Sequence, residues 1–471
     1  TWRPERSLGI SSARGKPAFA RPAGRCKLGA MANPSDAKPW HLSDNYGPVA
    51  DELTSFDLQV TGAIPPELCG LYVRNGANPK SGTSSHWFMG DGMVHGVRLE
   101  SGRAVWYRNR WVRTTKLERD LDAMDPATMM DRTASAANTH VVGHAGRIFA
   151  LEEGHFPYEL SRELETLGCE SFGGRLETAF TAHPKLCPIT GELHFFGYGV
   201  LPPHLVYHVL DAKGALVHSA EIAVPGPTMM HDFMITRDHA IFMDLPVTFS
   251  LEKAIKGEIP LGWDPDYGAR IGILPRMGRN SDVRWFEIDP CYVFHPMNAW
   301  VEGDVVFCDV GRHESMWRES MNDFPPSYLH RWEFDLSTGK VAERQLDDVA
   351  HAFPRVDDRA VGLRNRYGWA IASRPGEEPG FGAAGVLLKY DLERGTSAVH
   401  DFGPSAQPGE FVFAQASDSA AEDEGYALGF VYDKARDASD LVILDASEPS
   451  GRPVARIEMP RRVPHGFHGS W

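Results

Sequence analysis

The 471-residue sequence predicts an all-β protein, and the pattern of its strands favours a β-propeller. Short runs rich in valine, isoleucine and aromatic residues recur from Trp40 onward, and turn residues bound each run. A hairpin-like pattern repeats along this part of the chain, whereas helical periodicity is weak and confined to residues 157–167 and 251–257. Hairpins that recur over so long a chain, with few helices between them, favour a propeller over a sandwich.

The predicted strands fall into two groups. The clearest single strands are residues 71–74, 104–112, 147–151, 193–197, 240–244 and 305–309. A second pattern consists of an alternating apolar run, an aspartate, a loop that usually contains glycine, and another run. It occurs at residues 207–218 (YHVLDAKGALVH), 331–341 (RWEFDLSTGKV), 387–399 (LLKYDLERGTSAV) and 441–457 (LVILDASEPSGRPVARI). Aspartate and glycine supply the turn conformation, so each copy predicts an outer β-hairpin.

The first 30 residues differ from the rest, because they contain seven lysines and arginines and a single acidic residue, Glu5. Such a basic stretch lacks the apolar core of a secretory signal and resembles an organellar transit peptide. The alternative is upstream sequence read in error, with Met31 as the true start. We therefore expect a basic N-terminal extension, residues 1–35, and a single propeller domain, residues 36–471.

The composition limits the classes of function and the compartment. A formal net charge of −15 argues against an electrostatic nucleic-acid binder. The six cysteines are scattered without a C-x-x-C pair, which is typical of reduced thiols in a non-secreted protein. The longest uncharged run, residues 193–210, contains two prolines and three histidines and does not predict a transmembrane helix. We expect a cytoplasmic protein, or a plastid protein if residues 1–30 are a transit peptide.

Four of the 20 histidines lie in unusual surroundings: His183 in TAHP, His231 in MHDF, His295 in FHPMN and His468 in GFHG. The first three are spaced by 48 and 64 residues, which is roughly one propeller blade each. Inner strands of successive blades converge on the axis, so imidazoles from four blades can meet at one metal ion. The spacing alone is weak evidence, because no two of these residues form a local motif.

Eight segments, in order along the chain after Trp40, resemble the carotenoid cleavage oxygenase family. They are LYVRNGANP (71–79), HWFMGDGMVHGV (86–97), ANTHVV (137–142), TAHP (181–184), MMHDF (229–233), FHPMNAW (294–300), FPRVD (353–357) and GFHGSW (466–471). The resemblance implies a seven-bladed propeller with a dome of loops over an axial Fe(II), one per chain. It implies that the ligands are His183, His231, His295 and His468. It also implies that His86, His95 and His465 are not ligands, and we expect these three histidines to form local hydrogen bonds.

The resemblance also implies outer groups that orient the histidine ligands, because none of the ligands is a carboxylate. Glu153 matches one such position, with Glu152 as a competitor one residue away, and Glu410 matches another. Thr139 matches a threonine near an open position of the iron. Four neutral imidazoles suit Fe(II) and leave two positions of an octahedral ion for oxygen and substrate.

One position departs from the family pattern. The family usually has glutamate immediately before the Phe-Pro-Arg segment, whereas this chain has Ala352. Loss of such an outer group typically costs about 10–100-fold in metal affinity or activity. Either another group compensates or the iron is held less tightly; the candidates are His351, Asp347 and Asp348.

Two subgroups of the family compete for the substrate. One cleaves carotenoids and apocarotenoids; the other cleaves hydroxylated stilbenes and commonly has a lysine just before the outer glutamate to hold the phenol oxygen. Here Glu152 occupies that position, and Trp111 at the nearby aromatic position lacks a phenolic hydroxyl. A carboxylate repels a phenolate, so the sequence favours a carotenoid or apocarotenoid. The aromatic candidates for the substrate cavity are Phe88, Trp111, Phe156, Phe233, Phe294 and Phe467.

The resemblance thus implies a non-haem Fe(II) dioxygenase that cleaves a C=C bond of a hydrophobic polyene with O2 and releases two carbonyl products. The partners it implies are the small-molecule substrate and O2, with peripheral membrane contact as an option and no obligate protein partner. The alternatives are a stilbene-cleaving dioxygenase, a retinoid-ester isomerase and a metal-free propeller that only binds a ligand.

Overall fold

The structure is a computed structural model that describes residues 38–256, 258–379 and 382–471. The prediction for residues 1–35 therefore lies outside the described residues. Within the described ranges, seven sheets of four to six antiparallel strands follow one another along the chain, with one additional two-stranded ribbon. The first strands of neighbouring sheets contact one another, β14 with β20 and β20 with β24 (bounds below), so the sheets are arranged around an axis. The all-β prediction is confirmed, and the architecture is a seven-bladed propeller.

The strands of the described residues are numbered in chain order. Their bounds are β1 Leu53–Ser55, β2 Val60–Gly62, β3 Gly70–Ala77, β4 Gly92–Glu100, β5 Arg103–Trp111, β6 His140–His144, β7 Arg147–Leu151, β8 Tyr158–Leu160, β9 Thr166–Cys169, β10 Lys185–Leu186, β11 Leu193–Tyr198, β12 Leu205–Leu210, β13 Leu216–Glu221, β14 Met234–Ile235, β15 His239–Asp244, β16 Val247–Phe249, β17 Leu261–Trp263, β18 Arg270–Pro275, β19 Arg284–Glu287, β20 Tyr292–Glu302, β21 Val305–His313, β22 Ser327–Asp335, β23 Val341–Gln345, β24 His351–Arg355, β25 Tyr367–Ser373, β26 Ala384–Asp391, β27 Thr396–Asp401, β28 Ala406–Pro408, β29 Val412–Gln415, β30 Gly425–Asp433, β31 Ala438–Asp445, β32 Ala455–Glu458 and β33 Gly469–Ser470.

The four predicted hairpins are the pairs β12–β13, β22–β23, β26–β27 and β31–β32. Three of these pairs form the outer side of a four-stranded blade, while β31–β32 receives β2 as a further strand. Their prediction is confirmed because an aspartate-containing turn between two apolar runs forms locally and needs no distant partner.

Segments from both ends of the chain close the ring. Near the N-terminal end, β2 pairs with β32 on the outer edge of the last blade, Val60 opposite Ile457. At the other end, β33 pairs with β3 on the inner edge of the first blade, Arg74 opposite Gly469. Gly466 permits this approach, because a Cβ there would overlap the carbonyl oxygen of Asn75. The last residues of the chain are thereby brought to the propeller axis.

The core lies between successive blades. Side chains of β7 and β11 pack together around Phe149 and Phe195, and those of β18 and β22 around Ile271 and Trp332. Every blade presents one apolar face to each neighbour, which is why the strands alternate only weakly and most blade interiors are fully buried. Full burial of such a side chain contributes about 1.5–3 kcal/mol. The blades are therefore a rigid support for residues on the axis.

Helices are short. The described residues contain α1 (Thr115–Arg119), α2 (Pro126–Met130) and α3 (Leu251–Ile255), and 3-10 turns at Trp40–Leu42, Asp44–Tyr46, Trp87–Met89, Asn280–Asp282 and Asp358–Ala360. The helix predicted at 251–257 is confirmed for α3, whose N-cap Ser250 accepts a hydrogen bond from Lys253 N. None of the described helices is long and apolar enough to cross a membrane.

The helix predicted at residues 157–167 is wrong, because this segment forms strands β8 and β9. Between them the chain turns at Leu164, whose φ of 66° is incompatible with a right-handed helix. Pairing of β8 with β7 completes the second blade and outweighs the local helical preference.

Candidate metal centre

Four histidines meet on the axis of the propeller. His183 and His231 lie just before β10 and β14, His295 lies within β20, and His468 directly precedes β33. Each of these strands is the edge strand of a different blade. The Nε2 atoms form a chain with distances of 3.0 Å from His183 to His231, 3.3 Å from His231 to His295 and 3.1 Å from His295 to His468. The structure thus brings together the four residues that the sequence singled out.

This arrangement fits a metal ion. The ligand nitrogens of the four histidines all lie within 4.8 Å of one another. Nitrogens at neighbouring positions of an octahedral ion with bonds of about 2.1 Å stand about 3.0 Å apart, close to the distances observed here. Burial lowers the pKa values of His183 and His295 well below the ordinary value, so both rings are neutral and able to bind a metal. Four bare Nε2 atoms that point at one another are unfavourable unless an ion lies between them.

Glu153 holds the ring of His231. Its Oε1 lies in close contact with His231 Nδ1, and its Oε2 accepts a hydrogen bond of 2.8 Å from the hydroxyl of Tyr198. The competing Glu152 instead pairs with His155 Nδ1 at 2.6 Å and accepts Gly154 N at 2.8 Å. This contact orients the ring of His231, whose Nε2 faces the Nε2 atoms of His183 and His295.

Glu410 holds His468 in the same way and is itself almost fully buried. It accepts hydrogen bonds from His468 Nδ1 at 3.0 Å, Gly469 N at 2.7 Å and Arg355 Nη1 at 3.3 Å. Burial opposes ionisation of this carboxyl, but Arg355 and His468 outweigh it and lower the pKa of Glu410 to about 2. Glu410 therefore stays a carboxylate and joins the C-terminal strand to the blade before it.

His295 lacks a comparable partner. Across the described ranges, no carboxylate pairs with its ring, and Ala352 at the expected position exposes its methyl group to a cavity. Of the three candidates for compensation, Asp348 is exposed, whereas Asp347 and His351 are buried. Burial lowers the pKa of His351 to about 4, so its ring is neutral and brings no charge to the site. The ring of His295 packs against Phe353, with ring centroids 5.1 Å apart.

Thr139 lies where the first and second blades meet the C-terminal segment. Its carbonyl accepts a hydrogen bond of 3.0 Å from His468 N, and its hydroxyl donates to Asn138 Oδ1 at 2.9 Å. Asn138 in turn donates to the carbonyls of Phe88 and Gly90 at 2.8 and 2.7 Å. The ANTHVV segment thereby fixes the height of His468 on the axis, and Asn138 has a supporting role that its motif did not predict.

A cavity of about 510 Å³ lies on one side of the four histidines. It is lined mainly by apolar residues, and Thr139, Glu153 and three of the four histidines (His231, His295, His468) are exposed to it. A second, more polar cavity of about 270 Å³ lies on the other side and contacts His183. The histidine cluster separates the two, so a metal held there is accessible to an apolar molecule from the larger cavity.

The structure divides the six aromatic candidates. Phe88, Phe294 and Phe467 line the large cavity. Trp111 does not; it is buried, and its Nε1 donates to Asn78 O at 2.9 Å. Phe156 and Phe233 are packed in the cores between blades instead. The three histidines assigned to hydrogen bonding bond with neighbouring groups, namely His86 with Phe88 N, His95 with Tyr107 and His465 with Gln407.

Several residues at the site were missed by sequence reasoning. Tyr198 and Arg355 contact the two outer glutamates, while Arg132 and His155 line the large cavity. Arg355 lies in the FPRVD segment and was within reach of motif analysis. The other three occupy segments with no recognisable pattern, and only the folded chain brings them to the cavity.

The fold and the site together define a propeller with an axial four-histidine metal centre beneath an apolar cavity. Residues 46–471 match the family described as retinal pigment epithelial membrane protein, RPE65. A carotenoid cleavage oxygenase of Mycobacterium tuberculosis is 38% identical over 93% of this chain and 99% of its own length. The chain therefore belongs to the RPE65/carotenoid cleavage oxygenase family, and it is an enzyme, an oxidoreductase.

Other relatives are named for other substrates. An isoeugenol monooxygenase of Pseudomonas nitroreducens is 34% identical over 90% of this chain and 96% of its own length. The crystal structure of a lignostilbene dioxygenase of Pseudomonas brassicacearum matches with a TM-score of 0.84 and 32% identity, over 91% of this chain and 97% of that one. The family assignment thus leaves the substrate open.

Proposed function

We propose that this chain is an Fe(II)-dependent dioxygenase that cleaves one C=C bond of a carotenoid or apocarotenoid with O2. The observation that carries the proposal is the cluster of four imidazoles at the floor of a large apolar cavity. Both atoms of O2 enter the products, because the alkene is replaced by two carbonyl groups. Imidazole ligands alone also suit zinc, copper or nickel, so the identity of the metal belongs to the proposal.

The side chains of this protein hold the metal and the substrate in position and do not themselves react. His183, His231, His295 and His468 would hold the iron, which when bound supplies the one-electron chemistry needed for O2 to react with an alkene. Glu153 and Glu410 contact the Nδ1 atoms of two of the ligands and orient their rings. The cavity binds the polyene and excludes water, which protects the reacting centre from side reactions.

The preference for a polyene over a stilbene rests on Glu152. In the stilbene-cleaving subgroup, the matching position commonly holds a lysine for the phenol oxygen, whereas here Glu152 is paired with His155. Burial opposes ionisation of Glu152, but His155 outweighs it and lowers its pKa, so the site presents a carboxylate, which repels a phenolate.

Product analysis tests the function. Iron-loaded protein is given apocarotenals, a C40 carotenoid and hydroxystilbenes under 18O2, with His295→Ala as the metal-site control. We expect paired carbonyl products from a polyene, labelled at both new carbonyl oxygens and absent in the control. Cleavage of polyenes by the His295→Ala protein, or no cleavage of any alkene by protein with stoichiometric iron, would contradict the proposal.

Stilbene cleavage is the second candidate, and the similarity to the lignostilbene dioxygenase and the isoeugenol monooxygenase favours it. Benzaldehydes from hydroxystilbenes, with the polyenes left intact, would establish it in the same experiment. We would then expect Glu152→Lys to raise the affinity for hydroxystilbenes.

We also propose that the enzyme works in the cytoplasm, or in a plastid if residues 1–30 are a transit peptide, and that it collects its substrate at a membrane surface. Met130 and Leu201 line the large cavity and are 60% and 63% exposed, so part of the apolar wall of the cavity reaches the protein surface. Replacing both by aspartate should weaken co-sedimentation with phosphatidylcholine vesicles, because burial of their apolar surface would be lost. Equal co-sedimentation of the variant would contradict the membrane contact.

A further inference from the structure

The large cavity contains one cationic side chain without an anionic partner among the described residues. Arg132 follows α2, and its Nη1 donates to the carbonyl oxygen of Gly154 at 2.7 Å. A Cβ on Gly199 would lie 3.8 Å from its Nη2, so the guanidinium is located between two glycines of the cavity wall. Arg132 is partly buried, and within the part of the chain that the structure describes it forms no ion pair.

The other charged groups of this cavity already have side-chain partners. Lys116 Nζ lies 2.6 Å from Asp91, and Glu152 lies 2.6 Å from His155 Nδ1. Glu153 is occupied by its bond with the ring of His231. Among the charged side chains that line this cavity in the described ranges, Arg132 is therefore the one whose hydrogen bond is with a backbone carbonyl alone.

Such a charge is unfavourable in apolar surroundings. Burial lowers the pKa of Arg132, and Glu152 opposes this effect electrostatically, but a guanidinium remains protonated in proteins. An unpaired cation that loses part of its solvent is costly unless a bound anion replaces that solvent. The planar guanidinium matches a carboxylate, which it binds through two parallel charge-assisted hydrogen bonds.

We propose that Arg132 binds a carboxylate at one end of the substrate, so that the preferred substrate is a conjugated polyene acid rather than the corresponding aldehyde or alcohol. This inference rests on the proposed function, because it names the end group of the molecule that the cavity takes. An aldehyde or hydroxyl end would leave the guanidinium uncompensated. Arg132 is thus a specificity-determining residue at the wall of the cavity.

An anaerobic titration of iron-loaded enzyme separates binding from turnover. The polyene absorbance is followed as an apocarotenoic acid, or the apocarotenal of the same chain length, is added. We expect the wild type to prefer the acid by about 10–100-fold, the range of a charge-assisted pair in a site with little water. Arg132→Gln keeps a donor for Gly154 O but removes the charge, so the preference should fall to near unity. Arg132→Lys should retain part of it.

The matched control is Arg237→Gln, which removes one positive charge from an arginine whose side chain is 64% exposed and lies outside the cavity lining. It should leave the preference for the acid at the wild-type value. Iron content of each variant verifies that the metal site has folded. Equal affinity of the wild type for acid and aldehyde, or a preference that survives in Arg132→Gln, would overturn the proposal.

The same proteins separate recognition of a substrate carboxylate from binding of a lipid phosphate. If Arg132 binds a lipid phosphate instead, Arg132→Gln will reduce co-sedimentation with phosphatidylglycerol vesicles and leave the acid-to-aldehyde ratio unchanged, which overturns the substrate role. If the acid is preferred but no alkene is cleaved in air, the proposed function fails while the recognition of a carboxylate stands. If the aldehyde is cleaved but the acid is not preferred, the proposed function stands and the recognition of a carboxylate by Arg132 fails.

Discussion

Replacing Ala352 by glutamate tests whether the axial metal centre is short of one supporting group. Glu153 and Glu410 each contact the Nδ1 atom of a histidine, whereas the ring of His295 has no such carboxylate partner in the described residues. Ala352 is exposed to the same cavity as His295, so a longer side chain has room there. We therefore expect Ala352→Glu to supply the missing carboxylate and to tighten the binding of Fe(II).

The expected magnitude follows from the effect of removing such groups. Loss of an outer carboxylate typically lowers metal affinity by about 10–100-fold. We expect a gain of about 10-fold, or about 1.4 kcal/mol, because the new carboxylate must give up part of its hydration on entering an apolar cavity. The assay is an anaerobic competition for Fe(II) between the protein and a chromogenic chelator. Glu410→Gln serves as the reference in the opposite direction, with an expected loss of about 10–100-fold.

Ala350→Glu is the matched control, because Ala350 lines the same cavity two residues away. It adds the same charge without reaching the position of the missing partner, and its affinity should equal that of the wild type. An unchanged affinity in Ala352→Glu, with a clear loss in Glu410→Gln, would refute the reasoning and show that another group, such as His351, already holds His295. An equal gain in both glutamate variants would show that negative charge alone is responsible.

Three further predictions concern stability, all measured by urea unfolding. Burial lowers the pKa of His194 to about 3, so stability falls as the pH drops from 6.5 towards 3, because only the unfolded chain takes up the proton there. His194→Gln should reduce this slope by up to about 1.4 kcal/mol per pH unit, and an unchanged slope would contradict the assignment. Asp309→Ala should lower the free energy of unfolding by about 3–5 kcal/mol, because it leaves the partly buried charge of Arg331 without its partner. The Nε and Nη2 atoms of Arg331 lie 2.6 and 2.7 Å from the Asp309 carboxylate. A loss below about 1 kcal/mol would show that solvent reaches the pair. Phe195→Ala removes a fully buried ring stacked 3.9 Å from Phe180 and should cost about 3–5 kcal/mol, with a much smaller loss indicating that the blades collapse into the space.

Local features of the fold could be predicted from the sequence. The four outer hairpins form as expected, because an aspartate–glycine turn between apolar runs depends on neighbouring residues alone. Segment 157–167 could not be assigned correctly, since its strands exist only by pairing with β7. The ring closure by β2 and β33 likewise joins residues from opposite ends of the chain, and no local pattern announces it.

In the candidate site, too, some residues could be predicted from the sequence and others only from the folded structure. The sequence by itself, through its motifs, determined the family and the four histidines, because these residues stand in short segments whose order along the chain is distinctive. Only the tertiary structure decided between Glu152 and Glu153, because the chain turns directly after β7 and only one of the two carboxylates reaches His231. It also decided that Arg132 enters the cavity without an ion pair among the described residues, since charge balance depends on residues that are distant in sequence and meet only in the folded chain.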